Sequence, residues 1–353
     1  ARDDSSDRPM LALLMRLAGV AGFALMAAFI KLASETGIHI AELLFWRQLV
    51  SIPILLGWAV LAGGIVALAD DGARRAEILE SLMGGGLQLA FAYAEPESRY
   101  TLNDVQTSAQ RAGDHYVVTG RKAVVLNAPA ADRLVVSVRT AGDRYSPDGI
   151  SLLYVSPSAD GVRLNAYHTV DGERAAEVHL DGVRVPVADR LGAEGAALPI
   201  IERAVDRATL ALCAEAVGAM AVIFRKTLDY TKVRRQFGVP IARFQALQHR
   251  MADMFMELEQ ARSVTMMAAM RLDENGGDAP AALSAAKSRV GAAARRIGEE
   301  SVQLHGGIGV MDELDVGHYF KRLTTVQHLF GSTDHHTARY RRIAWSGGKP
   351  SSS

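Results

Sequence analysis

The sequence predicts an α+β multidomain protein with apolar N-terminal helices, a β-barrel middle domain and a C-terminal four-helix bundle. Three observations predict this fold class. Residues 1–69 contain long uncharged apolar runs. Residues 87–190 contain short β-branched runs with a turn signal about every ten residues, typical of a small antiparallel barrel or sandwich. From Leu198 onward the apolar residues recur at helical spacing in long segments.

The apolar N-terminal segment, residues 1–69, has two charge-free runs at 17–30 and 49–69. The second run has 21 residues, which matches the hydrocarbon thickness of a bilayer. The first run spans a bilayer only if it includes residues 10–14 and places Arg16 and Lys31 at the membrane surface. Two transmembrane helices are therefore predicted, and a pair of buried core helices is the alternative.

The remaining elements follow in order along the chain. Residues 70–81 form a polar amphipathic stretch that a run of three glycines at 84–86 ends. Strands are predicted in 115–120, 132–140, 149–155 and 175–186, and helices at about 198–235, 244–273, 279–305 and 312–343. The predicted domains are 1–69, 70–86, 87–190 and 197–345, with a disordered tail at 346–353.

Composition limits the classes of function. Lys plus Arg and Asp plus Glu each total 39, so the formal net charge is zero and no nucleic-acid partner is indicated. Cys213 is the only cysteine, so no intrachain disulfide can form and a cytoplasmic location is expected. The sequence has no Walker-type loop and no ligand cluster for a metal. Phosphoryl transfer and metal-dependent hydrolysis are therefore not indicated.

Five short motifs carry the functional signal, and each is weak alone. The middle segment has Ala94-Glu95-Pro96 and GRKAVVLN at 120–127; the helical segment has RRQFG at 234–238, FQALQH at 244–249 and QLHGGIG at 303–309. In this order, over about 70–345, they resemble the acyl-CoA dehydrogenase family. The amino-acid sequence of the helical half is most similar to the small subunits of pimeloyl-CoA dehydrogenase. Residues 70–86 then look like a remnant of the family's N-terminal helical domain.

The resemblance implies an FAD-linked enzyme that removes an α-proton and a β-hydride from an acyl-CoA thioester, with an electron-transfer flavoprotein as acceptor. It implies that FAD lies extended across a dimer interface. A guanidinium suits a diphosphate, and glycines let the backbone approach phosphates closely. By resemblance the cofactor-binding residues are Arg234, Phe237, Gln303, Gly306, Gly307, Ser332 and Thr333. Without the family context, the arginine and the glycines are a helix end and a turn.

The half of the site that faces the flavin ring departs from the family pattern. Ala94, Val124 and Leu126 stand where the family commonly has Thr, Trp and Thr. The usual catalytic glutamate position, 27 residues after Gln303, is Phe330. The alternative position for that base is Ala208. Neither side chain can accept a proton.

Glu215 is the weak candidate for a relocated base, because it lies two helical turns from Ala208 on the same helix face. A buried glutamate paired with a neighbouring arginine is the favoured interpretation of Glu215. Asp334, His335 and His336 form a polar cluster after Phe330. Adjacent histidines on a helix do not face one another, so no metal site is predicted there.

One arrangement reconciles the retained and the lost residues. The chain is expected to be the small subunit of a hetero-oligomer, in which a larger dehydrogenase subunit supplies the ring site and the base. A self-associating dimer or tetramer, a non-catalytic subunit that shares the cofactor, and a membrane-tethered fusion with a vestigial dehydrogenase part are the alternatives. Residues 10–62 resemble the first helices of a drug/metabolite transporter, so tethering would run through residues 10–69.

Overall fold

The computed structural model describes residues 72–274 and 277–346. The predictions for residues 1–69, including both transmembrane runs and the transporter-like stretch, lie outside the described residues, as do residues 347–353 of the predicted tail. The first described element is helix α1 (Gly72–Met83). Its chain leaves the helix through Gly85, whose φ of 72° is open to glycine at little cost.

The middle domain is an eight-stranded mixed sheet. Its strands are β1 (Leu89–Ala92), β2 (Ser108–Ala112), β3 (His115–Leu126), β4 (Arg133–Arg139), β5 (Ile150–Val155), β6 (Val162–His168), β7 (Arg174–Pro186) and β8 (Arg190–Leu191). They run in the order β6-β7-β3-β2-β4-β5-β8, and β1 pairs with β4. Most pairs are antiparallel, as the strand pattern indicated, but β1 and β2 each pair with β4 in parallel.

Alternation along the strands divides the apolar residues of this domain into two cores. Ala90 and Ala92 of β1 point into the interior of the sheet domain, together with Tyr116 and Leu153. Leu89 and Phe91 point the other way, into a cluster that the start of the helical domain covers. Because both faces of β5 are covered, all six of its residues are buried. The sheet is therefore covered on both faces at β5, and its second core positions the helices against it.

The helical domain follows from residue 198. Its helices are α2 (Leu198–Val233), α3 (Gln245–Asp273), α4 (Ala279–His305), α5 (Val316–His328) and α6 (Thr333–Ser346), and a hairpin of β9 (Arg235–Gln236) and β10 (Val239–Pro240) joins α2 to α3. The middle-sheet and helical-domain architecture is confirmed, and the first three helices end within two residues of their predicted bounds. The fourth predicted helix, 312–343, is two helices. Phe330 (φ 56°) and Gly331 (φ 124°) interrupt it, because neither value fits a right-handed helix.

Helix α2 is long and apolar enough to cross a membrane by length and composition, and it is the one such helix among the described residues. In this fold it is a bundle helix that packs along α4. Cys213, Met220 and Ile223 are fully buried, in a cluster with Val290 and Ile297 of α4. Burial raises the pKa of the Cys213 thiol to about 12, so the thiol stays protonated.

Candidate functional site

The first group of predicted cofactor residues lies where α2 ends. Arg234 leaves the helix with an extended conformation, and its carbonyl accepts a hydrogen bond from the Ile241 N–H at 2.8 Å. The two-residue loop Phe237-Gly238 has φ values of 53° and 82°, the pair of positive angles that a tight hairpin requires. This loop leaves the Phe237 side chain 92% exposed, in edge contact with Phe244 alone among the ring contacts of the described residues.

The glycine turn of the second group lies where α4 ends. Gly306 adopts φ 66° and ψ −144°, and it ends the helix immediately after His305. A Cβ added to Gly306 or Gly307 would meet nothing within 4 Å. A Cβ added to Gly309 would lie 2.8 Å from the Val302 carbonyl. Gly309 is therefore required by packing within the chain, whereas Gly306 and Gly307 leave open space on the outer surface.

A stacked ring pair brings these two groups together. The rings of Tyr230 and His305 lie 4.4 Å apart at an interplanar angle of 25°. The Tyr230 hydroxyl donates to the His305 carbonyl at 3.3 Å. Since Tyr230 is one turn before Arg234 and His305 is two residues after Gln303, the ends of α2 and α4 lie side by side. The structure thus brings the predicted adenine-side residues to one end of the bundle: Arg234, Phe237, Gln303, Gly306 and Gly307.

Ser332 and Thr333, the other two predicted cofactor residues, lie elsewhere on the bundle. Ser332 Oγ accepts a hydrogen bond from the His335 N–H at 3.2 Å, at the start of α6. Thr333 faces Gly291, where an added Cβ would be 2.6 Å from Thr333 Oγ1. Twelve residues of α4, about 18 Å of helix, separate Gly291 from Gln303. One copy of this chain therefore does not gather the two groups around the same atoms of a ligand.

Phe330, just before Ser332 and Thr333, occupies a hydrophobic position between the helical bundle and the sheet domain. Its ring stacks on Tyr93 with centroids 6.3 Å apart, and Tyr93 stacks on Phe91 at 5.0 Å. Ala208, the alternative base position, is buried in the same cluster. Burial, and then the neighbouring Tyr100, raise the pKa of the Tyr93 hydroxyl, so it stays protonated at neutral pH. Neither base position offers a carboxylate, and an aromatic stack covers one of them.

Lys287 and His336 hold the turn that carries Phe330. The sequence placed His336 in a polar cluster without a role and gave no expectation for Lys287. Lys287 is fully buried in α4, and its ammonium donates to the carbonyls of Gly331 at 2.7 Å and Val326 at 2.9 Å. His336 Nε2 donates to the Phe330 carbonyl at 3.0 Å. Burial lowers the pKa of Lys287 to about 8. A sequence signal for Lys287 existed, because it shares the apolar face of α4 with Leu283 and Val290.

Glu215 is held in an ion-pair network. Arg322 of α5 donates through Nε to Glu215 Oε1 at 2.5 Å and through Nη2 to Oε2 at 2.9 Å. Its third contact, from Nη1, reaches Asp171 in the β6–β7 turn at 2.8 Å. Burial opposes the charge of Arg322, but the two carboxylates outweigh it and raise the pKa of Arg322. Both oxygens of Glu215 are engaged, as the arginine-paired interpretation expects, and proton abstraction would require that pair to break.

Glu95 of the Ala94-Glu95-Pro96 motif forms a buried ion pair with Lys122, next to the bulge of β3 that carries Val124. Its carboxylate accepts bonds from Lys122 Nζ at 2.7 Å and from the Thr107 N–H at 3.0 Å. Both charged side chains are almost fully buried. Burial alone would raise the pKa of Glu95. The Lys122 charge and the hydrogen bonds outweigh burial, so the net effect is a lowered pKa. The adjacent bulge of β3 holds Val124 half-exposed, with a φ of 51°.

His336 makes the stability of the fold depend on pH. Burial, and then the charge of Lys287, lower its pKa from an ordinary 6.5 to about 3, so the folded protein keeps it neutral. The unfolded chain takes up that proton below pH 6.5. We therefore expect the free energy of unfolding to fall between about pH 6.5 and pH 3, by up to about 1.4 kcal/mol per pH unit from this group.

Urea unfolding of the His336→Gln variant near pH 7 and pH 4.5 checks this expectation. The variant should lose less stability on acidification than the parent chain, whereas His318→Gln, at an exposed position, should behave like the parent. Equal acid sensitivity of the His336→Gln variant and the parent would contradict it.

Within residues 72–274 and 277–346, no three His, Cys, Asp or Glu side chains are grouped closely enough to hold a metal ion.

Comparison with known proteins gives consistent matches to one family. The family model described as "Acyl-CoA dehydrogenase, middle domain" matches residues 90–183, and "Acyl-CoA dehydrogenase, C-terminal domain" matches residues 198–344. The chain is 33% identical over 243 residues to a probable acyl-CoA dehydrogenase, YngJ, of Bacillus subtilis (strain 168). That alignment covers 67% of this chain and 63% of the relative, so the chain spans less than two thirds of the relative's length.

Two solved structures show the same fold over most of the described residues. Butyryl-CoA dehydrogenase from Megasphaera elsdenii superposes with a TM-score of 0.77 at 25% identity, covering 83% of this chain and 77% of that one. An FAD complex of PigA superposes with a TM-score of 0.78 at 26% identity, with the same coverage. The likeness therefore extends over both the sheet domain and the helical domain.

Proposed function

Because the chain belongs to the acyl-CoA dehydrogenase family of oxidoreductases, we propose that it is the small subunit of a hetero-oligomeric, FAD-linked acyl-CoA dehydrogenase. One observation carries the proposal: the adenine-side residues are assembled at one end of the bundle, while the base position is occupied by Phe330 in an aromatic stack. This chain then supplies one half of a shared cofactor site. A larger subunit supplies the other half and the base.

The residues at the adenine end fit a dinucleotide. Arg234 is exposed and carries a permanent charge, with forked donors that match a diphosphate. Gly306 and Gly307 leave a backbone surface that phosphate oxygens can approach closely. Phe237 presents an uncovered aromatic ring beside them. When bound, FAD would supply hydride acceptance, while these residues bind and orient its adenine-diphosphate part.

The residues at the ring end fit the flavin less well. Val124 is half-exposed where the resemblance expects an indole, so it offers no stacking face. Leu126 has no hydroxyl to donate to a flavin nitrogen. Glu215 is tied to Arg322, and Phe330 and Ala208 hold no proton-accepting group. These observations support the alternative that this chain contributes no catalytic group and acts only as a cofactor-sharing subunit.

The substrate class and the remaining partners follow from the resemblance. We assign the substrate to acyl-CoA thioesters, with a dicarboxylyl-CoA as the specific expectation from the likeness to pimeloyl-CoA dehydrogenase small subunits. An electron-transfer flavoprotein is the expected acceptor. A cytoplasmic location is expected, and tethering through residues 10–69 remains a prediction that detergent dependence of the purified chain would test.

Co-purification tests the function. The partner should be a larger dehydrogenase subunit with an intact Glu-Gly-Thr motif, encoded beside this chain. We expect the complex to hold about one FAD per heterodimer and to turn over acyl-CoA, and each chain alone to retain little flavin. A homo-oligomer of this chain with stoichiometric FAD and turnover would overturn the proposal.

Replacing Arg234 by glutamine in that complex should weaken FAD retention by about 10- to 100-fold, because hydrogen bonds to charged groups are worth about 1.5–3 kcal/mol. Equilibrium dialysis with flavin absorbance measures the change. Arg271→Gln is the matched control, since Arg271 is also exposed but pairs with Glu274 and Asp278 at the far end of α3. Equal retention by the Arg234→Gln and Arg271→Gln complexes would remove Arg234 from the site.

A further inference from the structure

The stacked pair of Tyr230 and His305 is the structural link between the two segments of the adenine end. We propose that Tyr230 and His305 are positioning residues: their pair fixes the hairpin that bears Arg234 against the Gly306-Gly307 turn. This chain would then present an assembled surface for a nucleoside diphosphate before any second subunit is present. The inference rests on the proposed function, and it adds to it a reason why half a site can exist alone.

The His305 ring has one defined orientation. It is 5% exposed, and its Nδ1 lies 2.8 Å from the Ser301 carbonyl one turn earlier in α4. A carbonyl can only accept, so Nδ1 carries the hydrogen of this bond. The imidazole is therefore anchored to its own helix. Its face is held at a fixed angle for the Tyr230 ring.

Tyr230 connects this ring to Arg234 through one turn of helix. The Arg234 N–H donates to the Tyr230 carbonyl at 2.9 Å, the last helical bond of α2. At its other end, the Tyr230 hydroxyl donates to the His305 carbonyl, which belongs to the last turn of α4 and has no acceptor role within the helix. A single side chain thus joins the final turns of two helices, and each turn leads directly into predicted cofactor residues.

Gly309 immobilises the glycine turn from its other side. The close approach of Gly309 to the Val302 carbonyl and to His305 Cβ leaves no room for a side chain there. Gly307, in contrast, is unrestricted by this chain, since an added Cβ would meet nothing within 4 Å. The turn is therefore fixed on its inner side and unobstructed on its outer side. That is the form expected of a backbone surface on which a diphosphate lies.

Binding of ADP to the full-length chain, without a partner subunit, tests the inference by calorimetry. The parent chain should bind ADP measurably. Tyr230→Leu, which loses the ring and the hydroxyl, should bind about tenfold more weakly. Tyr230→Phe keeps the stack and should lose less than about threefold. Phe224→Leu is the matched control, because it removes another ring contact of α2, with Phe255, away from this end.

A second readout separates positioning from general stability. Hydrogen exchange of the amides at 303–310 and 234–241 should accelerate in Tyr230→Leu and stay unchanged in Phe224→Leu, even if both variants melt at similar temperatures. Parent-like ADP affinity in Tyr230→Leu would overturn the inference, as would an equal loss in Phe224→Leu or no ADP binding by the parent chain alone. If the parent complex with the larger subunit holds FAD in those cases, the proposed function survives. Absence of FAD from that complex would overturn the proposed function itself.

Discussion

Replacing Arg322 by methionine is expected to lower the free energy of unfolding by about 3–5 kcal/mol, the cost of breaking a buried ion pair by removing one partner. The change leaves Asp171 and Glu215, whose side chains are 2% and 12% exposed, without their shared counter-charge. The two carboxylates would also repel each other. Urea unfolding of the full-length chain measures the loss.

The matched control is Arg295→Met, at an exposed arginine that pairs with Glu299 one turn away. Such surface pairs contribute little, so the control should unfold at nearly the same urea concentration as the parent. Because Asp171 lies in the β6–β7 turn and Arg322 in α5, amide exchange in that turn should also accelerate in Arg322→Met. Comparable stability of Arg322→Met and Arg295→Met would show that the network carries no such energy.

Replacing Lys122 by methionine should cost a similar 3–5 kcal/mol. Lys122 is fully buried, and it donates to Glu95 at 2.7 Å and to Ser137 Oγ at 3.0 Å. Methionine matches its length but leaves the Glu95 carboxylate with backbone donors alone. The carboxylate then loses the charge that lowers its pKa, so burial should raise the pKa of Glu95 in the folded variant above its ordinary value of 4.5. The variant should therefore lose further stability as the pH rises from about 4.5 to that raised pKa.

The double variant Glu95→Gln, Lys122→Met sharpens this test, because it removes the charge that Lys122→Met leaves behind. It should recover part of the stability lost by the single variant, and the recovery measures the coupling of the two groups. Lys232→Met, which removes an exposed pair with Asp229, is the control and should be nearly neutral. A double variant less stable than Lys122→Met would contradict the interpretation.

The helices of this fold could be predicted because their signals are local. Helix α4 begins at Ala279 and ends at His305, as its apolar spacing and the following glycines indicate. The break at Phe330 carries no such signal, since phenylalanine is rarely left-handed and only the Gly331 beside it hints at a turn. The carbonyl contacts of Lys287 and His336 hold that conformation. Those contacts are distant in sequence, so the apolar pattern alone gave one continuous helix.

In the candidate site, too, local signals could be predicted from the sequence and contacts between distant segments could not. The residues near the ends of α2 and α4 could be named from motifs, but their approach depends on the stacked rings of Tyr230 and His305. Tyr230 lies outside every motif, and His305 lies inside QLHGGIG without an expected role. Glu215 could be placed on a helix face from spacing alone. Its partner Arg322 lies 107 residues away, and Asp171 belongs to the sheet domain, so only the tertiary fold identifies the network. The parallel pairing of β1 with β4 likewise joins segments whose local patterns carry no direction.

The length of α4 has an evolutionary consequence. Its 27 residues extend for about 40 Å, and the residues predicted to bind the cofactor follow one end while the Phe330 turn packs nearer the other. Side chains this far apart contribute to stability almost independently. A lineage could therefore exchange an acid for a phenylalanine at one extremity without disturbing the opposite one. The proposed division of labour between two subunits would require such independence, and the length of α4 is consistent with it.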